Sequence, residues 1–184
     1  YTLSLHDALP ISLMAVTGFL NFEHRGRRYF VRAGSDCRQR PILFLHGLGM
    51  GPICYLPFIW LLCQLGHTVI VIELRHLSLR LCFQTPSIDD IVNEIVEILG
   101  LHRIDQCIVV GHSYGTFIAS RLNVLHPKRV AGLCMMDPVC CVMHNPKLLS
   151  TFVYRKLDWR HLRDYITSLL IIFLSHDPSI AASV

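Results

Sequence analysis

Concentrated positive charge is missing from this chain. Its 184 residues carry a net charge of +4, and the basic side chains between Arg25 and Arg40 and between Lys147 and Arg163 are scattered. No stacking-aromatic motif accompanies them, so the basic footprint that a nucleic-acid partner needs is not there. Metal-ligand spacing is missing as well. Eleven histidines are present, but none form H-E-x-x-H or H-x-x-x-H, and no metal is expected. The eight cysteines contain no C-x-x-C pair, and Cys140 and Cys141 are adjacent. They read as reduced thiols, mostly of the core, with Cys107 and Cys134 in buried strands and Cys54 and Cys63 on a helix. That reading favours an intracellular setting. No signal peptide is evident. Clean membrane-length runs are also absent. The apolar stretch Ile42 to Gly66 is broken by His46, Gly47, Gly49, Gly51, Pro52, Pro57 and Gln64, and Ile166 to Leu174 is too short to cross a bilayer.

What is abundant is apolar surface. Hydrophobic residues make up 52% of the chain and the mean hydropathy is +0.45. This is rich for a soluble domain. It fits either the interior of a larger fold or a protein working at a lipid surface, so association with a membrane surface is one expectation. Residues 1–12 look like translated sequencing-adapter read-through and are set aside as a non-native scar. The division expected is then 1–12 as scar, 13–142 as core, and 143–184 as the start of a cap or lid.

The patterning reads as alternating strands and helices. Gly18 to Gly34 alternates around Arg25-Gly26, the mark of a hairpin. Pro41 to Leu45, His67 to Glu73, Cys107 to Val110 and Arg129 to Met136 are short apolar runs of the kind buried on both faces of a parallel sheet. Between them lie helix-like stretches at Ile53 to Leu65, Ser87 to Leu99 and Thr116 to His126. Ser87 with Asp90 three residues on makes a capping-box start. The fold class expected is α/β: a doubly wound, mostly parallel sheet.

Two turns carry the chemistry. Gly111-His112-Ser113-Tyr114-Gly115 joins a strand-like run to a helix-like one. A serine with glycine two positions away on both sides marks a nucleophile elbow, where the serine takes strained backbone angles and flanking side chains would clash. The second turn, His46-Gly47-Leu48-Gly49-Met50-Gly51, follows an earlier strand. Its glycines do not give G-x-G-x-x-G, which disfavours a dinucleotide site.

The order strand, H-G-x-G turn, helix, strand, helix, strand, G-x-S-x-G, helix, strand resembles the α/β-hydrolase superfamily, from about Phe19 to Val142. The resemblance implies an esterase-like or lipase-like serine hydrolase, with Ser113 attacking a small ester or lipid-like substrate and no cofactor. It implies an oxyanion hole built from the backbone N–H groups of Leu48 and Tyr114. Serine rather than aspartate at position 113 argues against the members that attack through a carboxylate. The stretch after the second long strand, Glu73-Leu-Arg-His-Leu-Ser78, departs from the family's common glycine-containing pattern.

The resemblance also sets the chain order serine, acid, histidine. Asp177, after the apolar run Leu169 to Leu174, is one candidate acid; Asp137, after Met136, is the alternative. The family's histidine lies after the last strand, so the chain is expected to stop before it, leaving the fold incomplete at its C-terminal end and the 184-residue piece inactive. Two other readings stay open: a non-catalytic binding protein on the same fold, and a thioesterase or acyltransferase using the same machinery.

Overall fold

The computed structural model describes residues 5–78 and 85–142. Among these residues six strands form one sheet in the order β1-β2-β4-β3-β5-β6. The first pair is the expected hairpin: β1 (Leu20–His24) and β2 (Arg27–Arg32) run antiparallel. Its two-residue turn needs positive φ at both positions, and Arg25 and Gly26 supply φ 50° and 79°. β2 pairs antiparallel with β4 (Val69–Ile72). From there the sheet is parallel: β4 with β3 (Ile42–Leu45), β3 with β5 (Cys107–His112), and β5 with β6 (Val130–Met136).

The continuous apolar runs of β3 and β4 are explained by what covers them. Alternate residues Leu43, Leu45, Ile70 and Ile72 pack under α3 (Ile88–Leu101) and α4 (Gly115–Leu125), with Ile91, Ile95, Ile98, Ile118 and Leu122. Their neighbours Ile42, Phe44, Val69 and Val71 face the other way, against Ile59 and Leu62 of α2 (Leu56–Gln64) and Met14 of α1 (Leu5–Val16). The capping box of α3 is present: Ser87 Oγ accepts from the Asp90 N–H at 3.1 Å, and the Asp90 carboxylate accepts from the Ser87 N–H. Among the described residues no helix is long and apolar enough to cross a membrane.

α1 spans both sides of position 12, and its Met14, inside the expected 13–142 core, is fully buried. One expectation changes. The cysteines are not mostly core residues: only Cys107 is buried among the described ones, while Cys54 and Cys134 are exposed and Cys63 is half-buried. Cys134 is open because, among the described strands, β6 has β5 as its sole neighbour. Cys54 falls in a 3₁₀ turn (Gly51–Tyr55) that precedes α2, not within that helix. The apolar run 53–65 thus splits into two elements.

Candidate active site

The elbow sits where β5 ends. Ser113 has φ 50°, a left-handed conformation that costs a non-glycine residue about 1–3 kcal/mol. Both of its backbone groups are tied down. Its N–H donates to the Met136 carbonyl at 3.0 Å, and its carbonyl accepts from the Thr116 N–H at 2.9 Å and the Thr116 hydroxyl at 2.6 Å. The side chain is partly exposed, at the N-terminal end of α4. That end concentrates unsatisfied N–H groups and partial positive charge.

The glycines are demanded by space. A Cβ on Gly115 would lie 2.2 Å from the Leu45 carbonyl oxygen, and one on Gly111 would lie 2.8 Å from the Gly115 oxygen. A Cβ on Gly47 would meet Ser113 Cβ at 2.9 Å and His112 Nδ1 at 3.0 Å. Gly47 therefore brings the turn after β3, which carries Leu48, directly against the elbow. Gly49 is different: its φ is 146°, but nothing lies within 4 Å of its missing side chain.

Side chains hold that second turn. The buried His46 ring accepts the Leu74 N–H at Nε2 (2.9 Å). A backbone N–H can only donate, so the ring proton sits on Nδ1 and is given to the Gly47 carbonyl at 2.7 Å. Burial holds this imidazole neutral, pushing its pKa down to about 4; the Gly47 hydrogen bond opposes the shift and His112 adds to it. The Gly47 N–H donates to the Tyr55 hydroxyl at 3.2 Å, and that hydroxyl lies 2.8 Å from His112 Nδ1. Burial raises the Tyr55 pKa, so the phenol stays protonated. The Gly49 N–H donates to the Leu77 carbonyl at 2.9 Å. Four segments thus converge on the turn: the ends of β3, β4 and β5 and the 3₁₀ turn before α2.

The candidate residues divide as follows. Ser113, Tyr114, Gly111 and Gly115 form one turn, and Gly47, Leu48 and Gly49 form the turn beside it. Tyr114 is buried, with its ring edge-on to His76 at 5.8 Å. Asp137 follows Met136, whose carbonyl holds the elbow, so its backbone stands next to the site. It takes φ 47° and is exposed. Asp177 lies outside the described residues. The histidine–carboxylate pair His24–Glu97 (2.7 Å) belongs to β1 and α3; three strands separate β1 from β5, and the pair takes no part at the elbow.

Tyr55, His112 and Thr116 are the contributors that the sequence reading passed over. His112 lies inside the elbow motif, which is a weak signal; Tyr55 carries none. A cavity of about 910 Å³ also opens in this part of the fold, lined by Arg25, Arg27, Glu73, Arg75, His76 and Glu94 among others. Its wall is charged and does not include Ser113; it approaches the elbow through His76.

A family model described as the alpha/beta hydrolase family matches residues 42–182. The chain belongs to the alpha/beta hydrolase family. Norfluorocurarine synthase 2 from Strychnos sp is 28% identical over 129 residues, covering 68% of this chain and 48% of that protein. Protein NDL3 from Arabidopsis thaliana is 30% identical over 56 residues, covering 30% and 16%. Among solved structures, a carboxylesterase of Nitrososphaera gargenis superposes with TM-score 0.57 at 18% identity, over 90% of this chain and 71% of that one. At that identity the likeness is one of fold, and it confirms the expected α/β-hydrolase sheet. The chain spans about half or less of the length of these curated relatives.

Proposed function

We propose that the complete protein is a serine hydrolase of carboxylic esters and that Ser113 is its nucleophile. The observation that carries this is the strained serine, held at φ 50° between glycines that cannot accept a side chain. A protein that only bound a ligand on this fold would lose nothing by placing glycine at 113. Holding serine there is useful when its hydroxyl must stand clear of the sheet. The Leu48 and Tyr114 N–H groups are assigned to the developing oxyanion, on the argument that Gly47 packs the Leu48 turn against Ser113. The acid is assigned to Asp177 or Asp137, and a histidine of the complete protein acts as base.

Ser113 would attack the ester carbonyl, pass its proton to that histidine and form an acyl-enzyme, which water then hydrolyses. A small-molecule ester is the substrate class proposed. The cavity beside the site carries several charged side chains and is not lined by Ser113, so it neither supports nor opposes a lipid-like acyl group. The solved carboxylesterase shows this fold at such work, whereas the synthase among the relatives is a reminder that the fold serves other chemistry.

The test is labelling of the full-length protein with a fluorophosphonate probe. Wild type is expected to label, Ser113→Ala not at all, and ester turnover to fall by about 10⁶ in kcat. Labelling that persists in Ser113→Ala refutes the assignment. Asp177→Asn and Asp137→Asn, compared for turnover, decide which acid serves.

A further inference from the structure

Directly after the elbow's partner strand stands a pair of thiols that the proposed chemistry does not use. Cys140 and Cys141 end a 3₁₀ turn (Val139–Cys141), with their sulfurs 3.7 Å apart. Cys141 is exposed and Cys140 half-buried. Cys140 Sγ also reaches Met135 Sδ at 3.8 Å. The turn is wired to the elbow: the Cys140 N–H donates to Thr116 Oγ1 at 3.4 Å, and Thr116 Oγ1 donates to the Ser113 carbonyl at 2.6 Å.

We propose that Cys140 and Cys141 form a thiol–disulfide exchange site, which takes small organic disulfides and closes to a disulfide between adjacent residues that loosens the grip on Ser113.

The exchange balances. One thiolate of the pair attacks a sulfur of the small disulfide and expels the first small thiol. The second cysteine then gives up its proton, attacks the mixed disulfide and expels the second small thiol. Two protein thiols and one small disulfide become one protein disulfide and two small thiols. The contact with Cys140 holds the Cys141 thiol above its ordinary pKa, so the attacking thiolate is a minority species at neutral pH and exchange quickens as the pH rises.

Geometry says why closure must be felt nearby. The sulfurs must move from 3.7 Å to about 2.05 Å, while adjacent Cα atoms stand about 3.8 Å apart, shorter than the usual disulfide span of about 4.4–6.8 Å. The ring can close only if the turn's backbone shifts. The bonds at stake are Cys140 N–H to Thr116 Oγ1 and Cys141 N–H to the Pro138 carbonyl at 3.0 Å. A disulfide so strained is easily reduced again, which makes it labile rather than structural.

The test treats the full-length protein with oxidised dithiothreitol and maps its peptides by mass spectrometry. The expected result is loss of two hydrogens in the peptide holding both cysteines, reversed by reduced dithiothreitol and abolished by Cys140→Ser or Cys141→Ser. Cys107, buried with its thiol pushed up to about 12, is the internal negative control. Hydrogen exchange at the Cys140 amide is expected to quicken about tenfold on oxidation, the worth of one lost hydrogen bond. If both thiols stay alkylatable, or pair with other cysteines, the site is refuted. If the disulfide forms and exchange at Cys140 and Thr116 is unchanged, the link to the elbow is refuted.

Both readouts are independent of hydrolysis. Fluorophosphonate labelling, which rests on Ser113 being the nucleophile, is expected to slow on oxidation. Should the reduced protein fail to label at all, the hydrolase reading falls while the disulfide result stands.

Discussion

The turns after β5 and after β3 do similar work by different means. Each carries the chain off the end of a parallel strand towards a helix. The turn after β5 is shaped by exclusion: Gly111 and Gly115 leave room for backbone that passes within van der Waals contact, and Ser113 is forced to φ 50° between them. The turn after β3 is shaped by attachment. Gly49 has open space, and the loop is held by His46, Tyr55 and the carbonyl of Leu77. A turn defined by steric fit tolerates almost no added atom. Apart from Gly47, which is close-packed against the elbow, a turn held by hydrogen bonds tolerates added atoms and fails when a donor or acceptor is removed.

The sharpest way to break this contrast is Gly115→Ala. The new methyl would sit 2.2 Å from the Leu45 oxygen, and two backbone segments must part to admit it. A loss of about 3 kcal/mol or more is expected in a urea titration. A loss within error would mean that the elbow is slack.

His46→Gln probes the other turn through pH. The folded protein holds the His46 pKa down at about 4, against 6.5 for the free side chain. Because the unfolded chain takes the proton first, this histidine's contribution is fully present above about pH 6.5 and is lost as the pH falls to about 4. Over that window wild type should lose about 3 kcal/mol more than His46→Gln. Parallel stability curves for the two proteins would show that His46 is not held neutral.

Tyr55→Phe removes one oxygen and strands the Gly47 N–H and His112 Nδ1 together. With Tyr55 only half-buried, a cost of about 1–2 kcal/mol is expected, with faster hydrogen exchange at Gly47 and a changed ¹⁵N shift at the His112 ring. An unmoved His112 resonance would sever the two turns. Last is Gly49→Ala. No clash opposes it, and only the positive φ penalises it, by about 1–2 kcal/mol. If it cost as much as Gly115→Ala, the distinction between fit and attachment would collapse.

The same contrast explains what could be read before any coordinates. The elbow was legible because its constraint is local: five consecutive residues contain the serine and both of its glycines. The hairpin at Arg25-Gly26 and the Ser87–Asp90 capping box were legible for the same reason. Tyr55 was not, because it matters only through partners at positions 47 and 112, and no periodicity records that meeting. The cysteines mislead because strand membership does not imply burial, as the exposed Cys134 of β6 shows. Burial depends on how many neighbours a strand has, and β6 has one among the described strands.

One further consequence follows from a sheet covered on both sides. In a half-wet sheet, water tells a strand which way up to lie. β3 and β4 have no wet side, so polarity cannot reject a slip by one position. Bulk does it instead: Phe30 and Phe44 fill the layer beneath α1 and α2, while on the opposite face β3 and β4 themselves present only leucine and isoleucine. Sliding β3 by a single residue would press a phenyl ring into the space of a leucine and leave a hole where the ring had been. The alignment that brings Leu45, and hence the turn beyond it, level with Gly111 is guarded by the unequal sizes of two oily faces.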